Sequence, residues 1–209
     1  MAAALEFCSL PLKFSNVPIT NEEITIFIKC HDRLFSNVTV VDEKGKGLFF
    51  GGGPGPMKSW SWRRQVKDTS GEPIFDLRHH GGAMKNLWTV ESPEGHHIAD
   101  LKQVSSKRRS DLDMVIANGK AEQDSVVLQM RQKDRSGITT QVFFGNAPVA
   151  ELQLQESNDV SDLSQVDRSS WKVRIAGGVD PAIVRRLILI MRRLKLIRSS
   201  DFDSSSLSS

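Results

Sequence analysis

The stretch Val66-Lys67-Asp68-Thr69-Ser70-Gly71-Glu72-Pro73-Ile74 sets one apolar-edged run against another across a short polar turn. An aspartate at the head of such a turn bonds the backbone just ahead of it, and the glycine takes the positive φ that other residues resist. The same D-x-x-G device stands at Asp42–Gly45 and Asp134–Gly137, and Glu91-Ser92-Pro93-Glu94-Gly95 is a variant of it. Asn118-Gly119 and Gly145-Asn146 are further turn signals.

Between these turns lie short runs that read as strands. They are Ile24–Lys29, Val38–Val41, Leu48–Phe50, Trp60–Val66, Ile74–Arg78, Leu87–Val90, His97–Val104, Asp113–Ala117, Ser125–Gln132, Ile138–Phe144, Val149–Gln155 and Trp171–Ile175. Ile24, Ile26 and Ile28 share one face; Ala150, Leu152 and Leu154 point one way and Glu151, Gln153 and Gln155 the other. Alternation of this kind gives a strand one dry and one wet face, as antiparallel sheets require. About a dozen such strands are too many for one open sheet, so the pattern implies a closed barrel or a two-sheet sandwich. The fold class is mainly β.

One helix is expected against this background. Val179-Asp180-Pro181 supplies an N-cap and a proline at the first helical position. The run Ala182–Arg198 then continues without a breaker, with Ile183, Val184, Leu187, Ile188, Ile190, Met191, Leu194 and Ile197 on a broad apolar arc. Arg185, Arg186, Arg192 and Arg193 occupy the remainder together with Leu189 and Leu196, so most of the circumference calls for burial. The serine-rich tail 199–209 is expected to be disordered, and the polar segment 156–170 to be a surface loop.

Composition narrows the function. Of the 209 residues, 39% are hydrophobic and 25% charged, enough to build a core, and the net charge of +3 is too small to make nucleic acid the default partner. Cys8 and Cys30 are too few for a disulfide framework, which points to a reducing compartment. The opening MAAALEFCSLPLKF has no basic n-region and no sufficient apolar run, so no signal peptide is expected. No run of 18 apolar residues exists, so no membrane span is expected either.

Order and spacing carry a family resemblance. Val40-Val41-Asp42-x-x-Gly45-x-Gly47-Leu48-Phe49, then Val66-Lys67-Asp68-x-x-Gly71-x-Pro73-Ile74, then Asn86-Leu87-Trp88-Thr89-Val90 resembles the LURP-one-related family. Trp171-Lys172-Val173-x-Ile175, followed by Gly178-Val179-Asp180 opening an apolar helix, resembles its ending. The resemblance implies a Tubby C-terminal-like fold: a closed antiparallel β-barrel of about twelve strands around a hydrophobic C-terminal helix. It divides the chain into an N-terminal extension 1–23, the domain 24–198 and the tail. Two departures stand out: Trp171 where the family commonly has tyrosine, and four arginines on a helix that is elsewhere almost purely apolar. Those arginines must reach a barrel mouth or a gap between strands, or else the helix is only partly enclosed, because an unpaired buried arginine costs roughly several kcal/mol.

Gly51-Gly52-Gly53-Pro54-Gly55-Pro56-Met57-Lys58-Ser59 lacks the glycine before lysine and the following helix that a phosphate loop needs, and reads as a strand connection. The pairs His79-His80 and His96-His97 fall at opposite ends of the sheet, so they cannot share a metal; they and His31 read as polar strand-end residues. No cofactor is called for, and no nucleophile and base can be assembled into an enzyme site. The basic clusters carry more. Lys58, Arg63, Arg64 and Lys67 form one, beside Trp60 and Trp62; Lys102, Lys107, Arg108 and Arg109 form another; the helix arginines form a third. Of these, Lys58, Arg63, Arg64, Lys67, Lys107, Arg108 and Arg109 are the candidate lipid-headgroup residues, since clustered cations attract acidic lipid and tryptophan suits an interface. The expected function is a non-enzymatic barrel module that binds phosphoinositide or another anionic lipid, cytoplasmic and peripheral to the membrane. The alternative is a scaffold for protein partners.

Overall fold

Every strand pairs with the next one in sequence, and the last pairs with the first. The computed structural model describes residues 4–8, 19–31, 37–52, 63–80, 87–104, 111–116, 125–134, 138–156 and 169–180. The strands are β1 Ile24–Cys30, β2 Asn37–Asp42, β3 Gly47–Gly52, β4 Arg63–Asp68, β5 Pro73–His79, β6 Leu87–Glu91, β7 His97–Gln103, β8 Leu112–Ile116, β9 Val126–Gln132, β10 Thr139–Phe144, β11 Ala147–Glu156 and β12 Ser170–Ile175. Each neighbouring pair is antiparallel, and the β1–β12 pair closes the sheet into a barrel, so it has no free edge. Of the two architectures that strand count alone allows, the barrel forms. The expected helix 182–198 and the tail 199–209 lie outside the described residues.

Alternation sets the register. Ile26 and Ile28 of β1 lie opposite Val173 and Trp171 of β12, while Ile28 and Cys30 lie opposite Val40 and Val38 of β2. All seven are buried in the one apolar cluster that lines the interior. Across the barrel the same rule pairs Leu101 with Met114, and Met114 with Leu128. A slip of one residue in β1 would turn Thr25, Phe27 and Lys29 inward and expose the three buried residues. Each large aliphatic side chain so exposed would forfeit about 1.5–3 kcal/mol, which is why this register excludes its neighbours.

The D-x-x-G segments build hairpins of one design. Asp42 Oδ1 accepts the N–H groups of Lys44 (2.9 Å) and Lys46 (2.8 Å), and Asp68 Oδ1 accepts those of Ser70 (2.9 Å) and Glu72 (3.0 Å). In the β6–β7 turn Ser92 Oγ takes the place of the carboxylate and accepts the N–H of His96 at 3.2 Å. Gly45, Gly71 and Gly95 hold φ of 79°, 90° and 89°, and each donates its N–H to the carbonyl of the residue that heads its turn. A register shift follows in all three hairpins, at Val40/Val41, Val66/Lys67 and Val90/Glu91. These turns share one end of the barrel, here the lower end; the Asp134 turn between β9 and β10 belongs to the upper end.

The lower end also holds a chain crossing. Ala176–Asp180, which follow β12, are all buried, and the N-terminal residues close over them. Cys8 donates to the carbonyl of Gly177, Gly178 donates to that of Thr20, and Glu6 donates to that of Pro148 beside β11.

Candidate functional site

The strand directions sort the basic residues. β3 and β4 flank the connection that holds Lys58, and β7 and β8 flank the one that holds Lys107, Arg108 and Arg109; both connections leave from the upper end. Those four residues lie outside the described ones. Arg63 and Arg64 open β4 at the same end, with Arg63 opposite Arg78 and Arg64 opposite Leu77. Lys67 is three and four residues further down β4, exposed on the outer wall opposite Phe50. The candidates are therefore not one patch. The β3–β4 and β7–β8 connections stand four strands apart, about 19 Å along the wall at ~4.8 Å per strand.

The remaining outer wall shows two kinds of charge. On β5 to β11 most of the described charges have a partner, Lys102 of β7 being an exception. Arg78 faces Glu91 at 3.9 Å, His97 faces Asp100 at 2.9 Å, and Arg131 meets Asp113 at 2.6 Å. Glu151, nine-tenths out of water, lies 3.6 Å from both Lys133 and Arg174 and accepts from Gln141 Nε2 at 3.2 Å. Arg174 grips Glu23 through two donors at 2.7 and 2.9 Å; that bond holds its pKa above the ordinary value against the opposing effect of burial. By contrast Lys29, Lys67 and Lys172 make no ion pair among the described residues. Lys29 and Lys172 escape a reading by sequence clusters, because each stands alone in its own strand and only barrel closure makes them neighbours.

The other candidate chemistry stays apart. His80 and His79 end β5 at the upper end, whereas His96 and His97 belong to the lower β6–β7 turn. Each ring that is bonded has a local partner: His31 with Thr39 Oγ1, His80 with Thr89 Oγ1, His97 with Asp100. Among the described residues no three of His, Cys, Asp and Glu gather as a metal site. Cys8 and Cys30 are buried at opposite ends of the barrel and share no disulfide. Gly51 and Gly52 are strand residues of β3, paired with β2 and β4, so that half of the glycine run is wall. Among the described residues no helix is long and apolar enough to cross a membrane.

Comparison with known proteins places the fold. The X-ray structure of a protein from Arabidopsis thaliana superposes with a TM-score of 0.58 over 85% of this chain and 94% of that one, at 18% identity. No curated protein matches the sequence. The family model described as LURP-one-related matches residues 24–192, from the first residue of β1 to well beyond the end of β12. The chain belongs to the LURP-one-related family.

Proposed function

We propose that this barrel is a non-enzymatic module that docks on anionic lipid, phosphoinositide or another acidic headgroup, its upper end being drawn to the surface first. The observation that carries this reading is the strand direction: the ends of β3, β4, β7 and β8 that flank Lys58, Arg63, Arg64 and Lys107–Arg109 all lie at that one end. The lower-end turns mix Glu43, Glu72 and Glu94 with Lys44 and Lys46. An acidic surface attracts the first end more than the second. At physiological salt the field of each charge decays over about 8 Å, so this asymmetry acts only at close approach and orients the barrel as it arrives. A juxtaposed lysine or arginine contributes about 1 kcal/mol toward such a surface.

Flotation of the full chain with vesicles of phosphatidylcholine, with and without phosphatidylserine or a phosphoinositide, tests the reading. Co-flotation with the acidic vesicles alone is the expected result. Equal recovery in both would remove the lipid function and leave the barrel as a scaffold for protein partners.

A further inference from the structure

Five consecutive strands of the closed barrel, β12, β1, β2, β3 and β4, present an outer wall without a carboxylate. The outward positions among the described side chains read Ser170, Lys172 and Arg174; Thr25, Phe27 and Lys29; Asn37, Thr39 and Val41; Leu48 and Phe50; Gln65 and Lys67. Across the strands one row runs Ser170, Lys29, Thr39, Phe50, Lys67, each opposite the next. Phe50, fourth in that row, is 43% exposed between Thr39 and the exposed Lys67, and the exposed Lys29 stands one strand beyond Thr39. The nearest acids do not face this row. Glu23 lies below β1 and is bound by Arg174, while Asp42 and Asp68 spend their carboxylates on turn N–H groups.

We infer that this wall is the face laid against an anionic bilayer, so the barrel rests on its side with the β3–β4 rim leading. The inference rests on the lipid reading and adds the orientation. Three features choose a bilayer over an acidic protein segment. The surface is the convex outside of a barrel, which offers no groove to hold a peptide. The exposed aromatic Phe50 stands beside Lys67 with Lys29 in the same row, an arrangement that seats a ring at the acyl boundary and lysines among headgroups. The row also continues up β4 to Arg63 and the connection holding Lys58. β7 and β8, which flank the connection holding Lys107, Arg108 and Arg109, lie nearly opposite β2 in the ring of twelve.

The test uses the full chain and vesicles of phosphatidylcholine with and without phosphatidylserine, comparing three variants whose thermal midpoints match the parent. Lys29→Glu with Lys67→Glu is expected to weaken binding to the acidic vesicles by at least ~25-fold, a factor of about five for each lysine lost from the surface. Phe50→Ser is expected to weaken it several-fold without changing its salt dependence. Reversal of Lys107, Arg108 and Arg109 together is expected to change it by less than about threefold. Parent-like binding by the Lys29/Lys67 variant, or a loss confined to the Lys107–Arg109 variant, would overturn the orientation while leaving lipid binding intact. A parent protein indifferent to phosphatidylserine would overturn both.

Discussion

The backbone N–H of Cys8 donates to the carbonyl of Gly177 at 3.1 Å, fastening the N-terminal segment across the chain as it leaves the last strand. On the other side Gly178 donates to Thr20 at 2.8 Å, so two N-terminal strands of backbone hold one glycine pair between them. A Cβ on Gly177 would come within 2.1 Å of the Asn21 carbonyl oxygen, and one on Gly178 within 2.5 Å of that of Cys8. These contacts are with backbone, which has nowhere to yield.

Gly177→Ala is therefore expected to destabilise the fold by about 1–3 kcal/mol, the range of an overpacked core site. Gly145→Ala is the comparison. Gly145 holds φ of 60° but has open space around it, so only backbone strain of about 1 kcal/mol applies. Urea unfolding of both variants checks the order. A Gly177→Ala midpoint at or above that of Gly145→Ala would contradict the crossing.

The Asp68 carboxylate is held below its ordinary pKa chiefly by the hydrogen bond from the Ser70 hydroxyl at 2.6 Å, which turn N–H groups reinforce against the opposing effect of desolvation. A depressed folded pKa gives stability that is present above the unfolded value, near pH 4, and lost as pH falls through the folded one. Asp68→Asn should thus differ from the parent at pH 7 and converge on it toward pH 3. Unfolding midpoints at the two pH values check this; a constant difference would show that the charge contributes nothing.

Arg174 is the bridge between Glu151, whose side chain is 10% exposed, and Glu23, at 39%. Removing the exposed partner with Glu23→Gln should cost less than about 1 kcal/mol, as surface pairs do. Arg174→Met leaves Glu151 with Lys133 and Gln141 alone and should cost about 1–3 kcal/mol. A double-mutant cycle at residues 151 and 174 measures the coupling, and a value near zero would deny the pair any role.

A ring of twelve strands encloses more space than its own side chains fill, since eight strands already leave room only for side chains. Yet Ile28, Phe75, Met114, Leu128 and Val173 have no exposed surface. The apolar run 182–198 begins two residues after the buried Asp180 and is the sequence's own candidate for the filling. Leu187→Ala is expected to cost about 2–5 kcal/mol. An unchanged melting temperature would refute a central role for that run.

The barrel was legible because turn and strand chemistry agree along the chain. Asp42, Asp68 and the Ser92 variant marked three turns, and the short runs between turns, some of them cleanly alternating, matched all twelve strands within a few residues. The boundaries that moved are instructive. β3 runs to Gly52 rather than Phe50 because glycine carries no side chain to declare a face, and β11 starts at Ala147 because pairing with β10 extends past Pro148. The candidate site was less legible. Lys58, Arg63, Arg64 and Lys67 cluster in sequence, yet strand geometry spreads Arg63 and Lys67 along one wall. Lys29, Lys67 and Lys172 come from distant segments, and only the β1–β12 closure brings them onto one face. Sequence spacing cannot register a neighbour supplied by closure.

Recognition of an anionic lipid surface by cations on this barrel is tested most directly by the partition of the full chain onto phosphatidylserine-containing vesicles as salt is raised. Exposed lysines and arginines act through a field whose reach shrinks from about 10 Å at 0.1 M to about 3 Å at 1 M salt. The account predicts binding that declines steadily across that range and is absent from phosphatidylcholine alone. Binding that is indifferent to salt, or equal on neutral vesicles, would contradict it.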